Sequence, residues 1–156
     1  ATIDGVAVEI EEGCTGLQHY ASRSDVVAMT VDGKAWDLSR EIPSGATVEA
    51  ITLNSPAGLE ILRHSCTHVM AQAVQEVFPD VNLGIGPFIT DGFYYDFGNI
   101  DSVTPELMRD LEKRMKRIVK EGQTFRRRVV SEDEAREELA DQPYKLELIT
   151  TKGGGA

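Results

Sequence analysis

Two histidines four residues apart are the first side chains in this sequence whose types and spacing could do chemistry. His64 and His68 lie in a long stretch of helical periodicity, and residues four apart project from the same side of a helix. Two imidazoles at this spacing can share a metal ion or a water molecule, as on the zinc-binding helix of metalloproteases. Two solvent-exposed histidines are the plain alternative, and the spacing alone does not separate the two.

A metal site at these histidines would lack ligands. Most catalytic zinc sites use three protein ligands, yet the third histidine of the chain, His19, has no convincing partner in the sequence. The glutamate that serves as base between the histidines of metalloproteases is absent. Cys66 falls on the apolar stripe of the predicted helix, so we expect it to be a small buried residue. His64 and His68 are therefore half a metal site at most.

A stretch rich in glycine and aromatic residues is the second candidate. Gly84 and Gly86 allow close backbone approach, but no helix follows them directly, so this is not a phosphate-binding loop. In the run from Gly92 to Phe97, strand alternation places Tyr95 on the face opposite Asp96. Tyrosine combines an apolar ring with a polar hydroxyl. We therefore expect this run to combine core packing with a hydroxyl able to contact a ligand.

The first part of the chain predicts a small mixed sheet with one helix, at Thr15 to Ala21. Asp4-Gly5 and Asp32-Gly33 predict two-residue hairpin turns, whose central residues need positive φ. The predicted strands are Val6 to Ile10, Val26 to Val31, Lys34 to Leu38 and Val48 to Leu53. The segment Asn54-Ser55-Pro56 marks the boundary, so residues 1–54 are predicted as one domain.

The second part, residues 58–150, predicts an α+β domain that begins with the helix of the two histidines. This helix runs from about Gly58 to Phe78. Its apolar stripe is centred near Leu62, Cys66 and Ala73, which places the histidines on roughly the opposite side. The remaining predicted elements are strands at Leu83 to Ile89 and Phe93 to Phe97 joined by Asp91-Gly92, helices from Thr104 to Gly122 and from Ser131 to Ala140, and a strand from Tyr144 to Ile149. Residues 151–156 are predicted to be a flexible tail or a truncation point.

Composition limits the classes of function. No apolar run approaches the ~20 residues that span a bilayer, so a membrane protein is not expected. Two cysteines in 156 residues are too few for a disulfide scaffold and favour a reducing, cytoplasmic setting. The formal net charge of −10 argues against a freestanding nucleic-acid binder, whose affinity comes mostly from neutralised phosphates.

The basic charge is nevertheless concentrated in one segment. Residues 1–108 hold 4 of the 16 lysines and arginines, whereas residues 113–128 hold eight. We call these eight the basic strip: Lys113, Arg114, Lys116, Arg117, Lys120, Arg126, Arg127 and Arg128. The strip could face the phosphates of a nucleic acid, or it could be the solvated face of a helix.

Several linked motifs resemble the N-terminal region of the bacterial threonyl-tRNA synthetase family. The resemblance covers the whole chain and rests on the order and spacing of the motifs. They are Arg63-His64-Ser65-Cys66-Thr67-His68, Gly84-Ile85-Gly86-Pro87, Gly92-Phe93-Tyr94-Tyr95-Asp96 and Pro143-Tyr144-Lys145-Leu146-Glu147-Leu148. The resemblance implies a ubiquitin-like β-grasp (TGS) domain at residues 1–54. From about residue 58 it implies part of an editing domain, which alanyl-tRNA synthetases share in weaker form.

The resemblance also implies a hydrolytic role beside a ligase activity. The family joins threonine to its tRNA with ATP, and its editing domain hydrolyses tRNA mischarged with serine. By position, His64 and His68 would order a water molecule or the hydroxyls of the terminal adenosine. Tyr95 and Lys145 match positions that line the pocket, and Asp96 is a further match. The basic strip would then follow the acceptor stem of the tRNA.

One departure from the family concerns the pocket itself. The family completes it with a later Cys-x-x-x-His motif, and no cysteine or histidine follows His68 here. The catalytic core, with its ATP, magnesium and zinc, is also absent. We therefore expect an incomplete editing site and no cofactor in this piece. The implied partners are the tRNA for threonine and the rest of the synthetase, in a cytoplasmic and homodimeric parent protein.

Two other functions remain alternatives to this reading. The β-grasp sheet and the basic helix could form a non-catalytic module that docks tRNA or a protein partner. A zinc-dependent hydrolase with His64 and His68 as ligands is the other alternative, and its missing third ligand counts against it.

Overall fold

The computed structural model describes residues 1–123 and 128–152. The chain divides into two compact units, the first formed by residues 1–63 and the second beginning at His64. The described residues form a five-stranded mixed sheet, two short two-stranded sheets and five helices. This content confirms the predicted α+β class, in which a small sheet domain is followed by an α+β region.

The first unit is a mixed sheet with one short helix. Its strands are β1 (Thr2–Ile3), β2 (Val6–Ala7), β3 (Val26–Val31), β4 (Lys34–Trp36) and β5 (Thr47–Thr52), and its helix is α1 (Gly16–His19). The strand order is β2-β1-β5-β3-β4. Strand β1 is parallel to β5, and the other pairs are antiparallel. A mixed sheet with this single helix agrees with the β-grasp expectation.

Both predicted hairpin turns are confirmed by their backbone angles. The φ values are 49° and 81° at Asp4 and Gly5, and 49° and 79° at Asp32 and Gly33. Positive φ at both central residues gives the twist that adjoining antiparallel strands require. The predicted run Val6 to Ile10 is shorter than expected, because only Val6–Ala7 pairs with β1.

The core of the first unit is centred on Met29 and Val48, both of which are fully buried. Thr15 begins α1 with a reciprocal capping box, in which its hydroxyl accepts the N–H of Gln18 and the Gln18 side chain accepts the N–H of Thr15. A Cβ placed on Gly16 would lie 2.8 Å from the Met29 sulfur. A glycine at this position therefore lets α1 pack directly on the core.

The second unit contains the rest of the long helix α2 (Pro56–Val77), four short strands and three further helices. The strands are β6 (Asn82–Leu83), β7 (Phe88–Ile89), β8 (Gly92–Phe93) and β9 (Phe97–Gly98), and the helices are α3 (Pro105–Glu121), α4 (Glu132–Glu138) and α5 (Pro143–Lys152). Its core is centred on Ala73, Val74 and Val81, with Leu111 and Ile118 of α3 packed against them.

The predicted ends of α3 and α4 are confirmed by capping chemistry. Thr104 accepts the N–H of Leu107 at the start of α3, and Gly122 ends the helix with a left-handed φ of 61°. Ser131 and Glu134 form the expected capping box of α4.

The predicted strand from Tyr144 to Ile149 is wrong, since this segment lies in α5. Six residues of alternating pattern do not separate a strand from one and a half turns of helix. Pro143 stands at the first helical position, where a missing N–H costs nothing. The backbone carbonyl of Gln142 then accepts the N–H groups of Lys145 and Leu146 at 3.0 and 3.1 Å.

The predicted strand from Leu83 to Ile89 is divided into β6 and β7. Gly84-Ile85-Gly86-Pro87 lies between the two pieces, and β6 pairs with β9 whereas β7 pairs with β8. The expected hairpin around Asp91 is present, with Ile89 paired to Gly92.

The buried side of α2 also differs from the predicted stripe. Thr67 is fully buried and Ala71 is 5% exposed, whereas Leu62, which the predicted stripe placed near its centre, is 49% exposed. Elements of the second unit cover the Thr67 side of the helix, a tertiary packing that periodicity cannot anticipate. The histidines therefore border the buried face of α2 rather than lying opposite it.

Candidate functional site

The two histidines of α2 contact each other directly. Their Nε2 atoms are 3.2 Å apart, and the rings meet edge to face with centroids 4.7 Å apart. At this distance one Nε2 can donate a hydrogen bond to the other, and the tautomers of the two rings decide which one donates. Beside them the fully buried Thr67 donates its hydroxyl to the His64 carbonyl at 2.6 Å. The helix backbone under the pair is thereby fixed.

Tyr95 lies against the same stretch of α2 because Gly86 leaves room for its ring. A Cβ on Gly86 would lie 2.3 Å from Tyr95 Cδ2 and 3.2 Å from the Cβ of Thr67. The Tyr95 ring also stacks on Phe97, with centroids 4.6 Å apart. The predicted strand from Phe93 to Phe97 is wrong, because residues 94–96 lie between β8 and β9 and form no strand. The ring is therefore held beside the residue that precedes His68, and burial raises the pKa of its hydroxyl.

Lys145 reaches the same place from α5. Its Nζ lies 5.8 Å from the centroid of the Tyr95 ring, and burial lowers the pKa of its ammonium group. Both histidines are exposed at the surface, and the pKa of His68 is lowered first by the partial burial of its ring, then by the neighbouring His64 and by the positive charge of Lys145. The second unit thus brings together His64, His68, Tyr95 and Lys145, which we call the histidine cluster.

The lowered pKa of His68 gives a first testable expectation. A proton acceptor at this position is neutral at lower pH than an ordinary histidine, whose pKa is about 6.5. Any reaction in which His68 accepts a proton should therefore rise with pH and reach its plateau below the range of an unperturbed imidazole. A rate profile between pH 4.5 and 8 measures this, and a plateau reached only well above pH 6.5 would contradict it.

The same shift has a consequence for stability with a definite sign. Between the folded and unfolded pKa values of His68, the unfolded chain binds more protons, so the free energy of unfolding increases with pH. Below the folded pKa both states are protonated and the dependence on this group ends.

Asp96 occupies a different position from the histidine cluster. Its N–H donates to the Ile85 carbonyl at 2.9 Å, and its carbonyl accepts the N–H of Gly84 at 2.8 Å. With Tyr144 and Glu147 it lines an open cavity of about 360 Å³. None of the hydrogen bonds or ion pairs found among the described residues joins Asp96 to the histidines.

Within residues 1–123 and 128–152, no group of three or more histidine, cysteine, aspartate or glutamate side chains is placed to hold a metal ion. Both cysteines, Cys14 and Cys66, are free and half-buried, and burial raises the pKa of the Cys66 thiol.

Much of the basic strip is engaged with carboxylates. Arg114 and Arg117 both contact Glu76 of α2, so they join α3 to α2. Within α3, Arg114 also pairs with Asp110, Lys116 with Glu112 and Arg117 with Glu121. Arg128 pairs with Glu138.

Two lysines of the strip are differently placed. Lys113 and Lys120 are exposed and form no ion pair within the described part of the chain. They lie seven residues apart on α3 and thus on one side of it. Arg126 and Arg127 of the strip fall outside the described residues.

None of the helices within residues 1–123 and 128–152 is long and apolar enough to cross a bilayer.

Comparison with known proteins gives a consistent set of relatives. The chain is 66% identical over 148 residues to the threonine–tRNA ligase of Cutibacterium acnes, which covers 95% of this chain and 22% of the relative. It is 54% identical over 151 residues to the Micrococcus luteus ligase, covering 97% and 22%. Against the Thermobifida fusca ligase it is 50% identical over 156 residues, covering 99% and 24%.

No model of a known protein family matches the chain. The sequence relationship nevertheless extends over nearly the whole chain, although the chain spans less than a quarter of the length of these curated relatives. The family that the linked motifs indicated is thereby confirmed, and the chain belongs to the threonine–tRNA ligase family.

Proposed function

We propose that this chain supplies a hydrolytic site to a threonine–tRNA ligase, where it removes serine from tRNA for threonine that has been mischarged. The observation that carries the proposal is the histidine cluster. It contains two imidazoles in contact at 3.2 Å, a tyrosine held against Gly86, and a partly buried ammonium group. These groups converge at the border of a helix without serving as its core.

A ligase for threonine needs such a site for a physical reason. Serine lacks one methyl group of threonine, and one methyl in a binding pocket discriminates by only about 1–3 kcal/mol. Accurate charging requires more than that. A second site that admits serine and excludes the larger threonine completes a double sieve.

The groups of the cluster match the needs of ester hydrolysis. The bond to break joins the serine carboxyl to a ribose hydroxyl of the terminal adenosine. Because the pKa of His68 is lowered, its imidazole is neutral at neutral pH, so it can accept a proton from the attacking water and return that proton to the ribose oxygen that leaves. The Lys145 ammonium can stabilise the developing oxyanion. Tyr95 forms a wall of the site, and a histidine Nε2 can also orient the adenosine hydroxyls.

The tRNA contact belongs to the same proposal. We assign it to Lys113 and Lys120, because the arginines Arg114 and Arg117 are already paired with Glu76. Phosphate contacts of this kind are sequence-independent and weaken with salt.

Replacing both lysines with glutamine in the full-length ligase should therefore weaken tRNA binding. The slope of log affinity against log salt should fall by about 2, one for each lost phosphate contact. Lys34→Gln, at an exposed lysine of β4, is the matched control. Equal salt slopes for the double variant and the wild type would remove these lysines from the interface.

The proposal is tested by the selectivity of hydrolysis in the full-length ligase. Preformed seryl-tRNA and threonyl-tRNA for threonine are incubated with the protein without ATP, so that no recharging occurs. We expect serine to be released much faster than threonine. Equal rates for the two esters would show that the site is not a sieve.

The chain spans less than a quarter of the length of its ligase relatives. We propose that ATP, magnesium and zinc serve the synthetic core and that the present segment uses none of them. A homodimeric, cytoplasmic ligase that binds tRNA for threonine completes the proposal.

A further inference from the structure

The side chain of Gln142 joins two segments that are about sixty residues apart. Its Oε1 accepts the N–H of Leu83 at 2.7 Å, and its Nε2 donates to the carbonyl of Val81 at 3.2 Å. Val81 is 1% exposed and belongs to the core of the second unit. One amide thus satisfies a donor and an acceptor of the same stretch of backbone, as a neighbouring strand would.

The same residue also begins α5. The backbone carbonyl of Gln142 accepts the N–H groups of Lys145 and Leu146, and Pro143 follows it at the first helical position. We call the two amide hydrogen bonds of Gln142 the tether. Lys145 lies three residues beyond Gln142, about 4.5 Å along the helix axis at 1.5 Å per residue. Its position depends on where Gln142 fixes the start of the helix.

We infer that Gln142 is a positioning residue for the histidine cluster, because its two amide hydrogen bonds hold α5 where Lys145 lies beside Tyr95 and near His68. This inference rests on the proposed function for its effect on activity. The placement of α5 and Lys145 by Gln142 does not depend on that function.

The groups around His68 define what a shift of α5 would change. His64 lies on the same helix, Tyr95 comes from the aromatic run, and Lys145 from α5. Lys145 also lines a cavity together with Glu132 of α4. Of these groups, Lys145 is the one that the tether places, and its charge is the last of the three causes that lower the pKa of His68, after burial and His64. Loosening the tether moves that charge away from His68. The pKa of His68 then increases.

The test uses Gln142→Met, which keeps the side-chain length and removes both hydrogen bonds. In the full-length ligase we expect kcat/KM for seryl-tRNA hydrolysis to fall by about tenfold or more, since small displacements of a catalytic group are costly. The acidic limb of the pH profile should move to higher pH. Gln75→Met, at an exposed glutamine of α2, is the matched control and should change neither.

A second readout separates this inference from the proposed function. NMR titration of the His68 imidazole in the 156-residue chain measures its pKa without any activity. Lys145→Met should raise this pKa, Gln142→Met should raise it too, and the two changes should not add. An unchanged His68 pKa in a folded Gln142→Met chain overturns the inference, whether or not seryl-tRNA is hydrolysed. A shifted pKa without hydrolysis overturns only the proposed function.

If Gln142→Met does not fold, Gln142→Glu replaces it. The carboxylate keeps an acceptor for the Leu83 N–H, but its second oxygen faces the Val81 carbonyl and cannot donate to it. We expect a smaller fall in kcat/KM for this variant and a displaced pH profile. Wild-type values for both would overturn the inference.

Discussion

His64→Ala in the full-length ligase is expected to lower the hydrolysis of seryl-tRNA by about 100-fold or more, the usual contribution of a positioned proton acceptor. Threonine charging is expected to keep its wild-type rate. The reason is the contact between the two Nε2 atoms, 3.2 Å apart. Without His64, His68 loses the ring that contacts it and holds its orientation. Seryl-tRNA should then accumulate when serine and ATP are supplied, and this accumulation is the measurement.

The matched control for this prediction is His19→Ala. His19 is a half-buried histidine of the first unit that packs edge to face on Tyr20. It should leave both activities unchanged. Parallel loss of charging and hydrolysis in His64→Ala would indicate a structural role and count against the hydrolytic site.

Gly86→Ala is the second substitution with a large expected effect. The added methyl would lie 2.3 Å from Tyr95 Cδ2, and the ring cannot yield without leaving its stack on Phe97. We expect seryl-tRNA hydrolysis to fall by about tenfold to 100-fold through displacement of Tyr95. The free energy of unfolding should fall by about 1–3 kcal/mol, as for other overpacked sites. Hydrolysis assays and denaturant titration measure the two effects.

Gly92→Ala separates crowding from the general effect of losing a glycine. A Cβ on Gly92 would meet no atom within 4 Å, and the residue lies on the same aromatic run as Tyr95. This variant should keep both hydrolysis and stability. A Gly86→Ala protein as active as Gly92→Ala would show that the position of Tyr95 does not matter for the reaction.

The parts of the fold that follow from local chemistry could be predicted from the sequence. The Asp-Gly turns need positive φ and have it. The caps at Thr104 and Gly122 satisfy backbone groups at the ends of α3. Each of these signals involves residues only a few positions apart, so the local sequence determines the turn or the helix end.

The parts that depend on distant residues could not be predicted in the same way. The run from Tyr144 to Ile149 alternates like a strand but forms α5, whose start is tied to Val81 and Leu83 by Gln142. The buried side of α2 likewise depends on what covers Thr67. Periodicity carries no information about either contact.

The candidate site shows the same division. The spacing of His64 and His68 indicated a shared side of a helix, and the structure places their Nε2 atoms in contact. Lys145 was named through a resemblance, on an element that was predicted as a strand. The sequence gives no signal for the role of Gln142, because a glutamine before a proline does not show that its side chain bonds a backbone segment about sixty residues away.

The most direct test of the central claim compares this chain with a longer chain that carries the rest of the ligase. Each is mixed with preformed seryl-tRNA for threonine, and the release of serine is followed in a single turnover. We predict rapid release by the longer chain and little by the 156-residue chain, because the family's Cys-x-x-x-His half of the pocket is not in its sequence. Release by neither chain would contradict the hydrolytic site and would favour a non-catalytic module that binds tRNA.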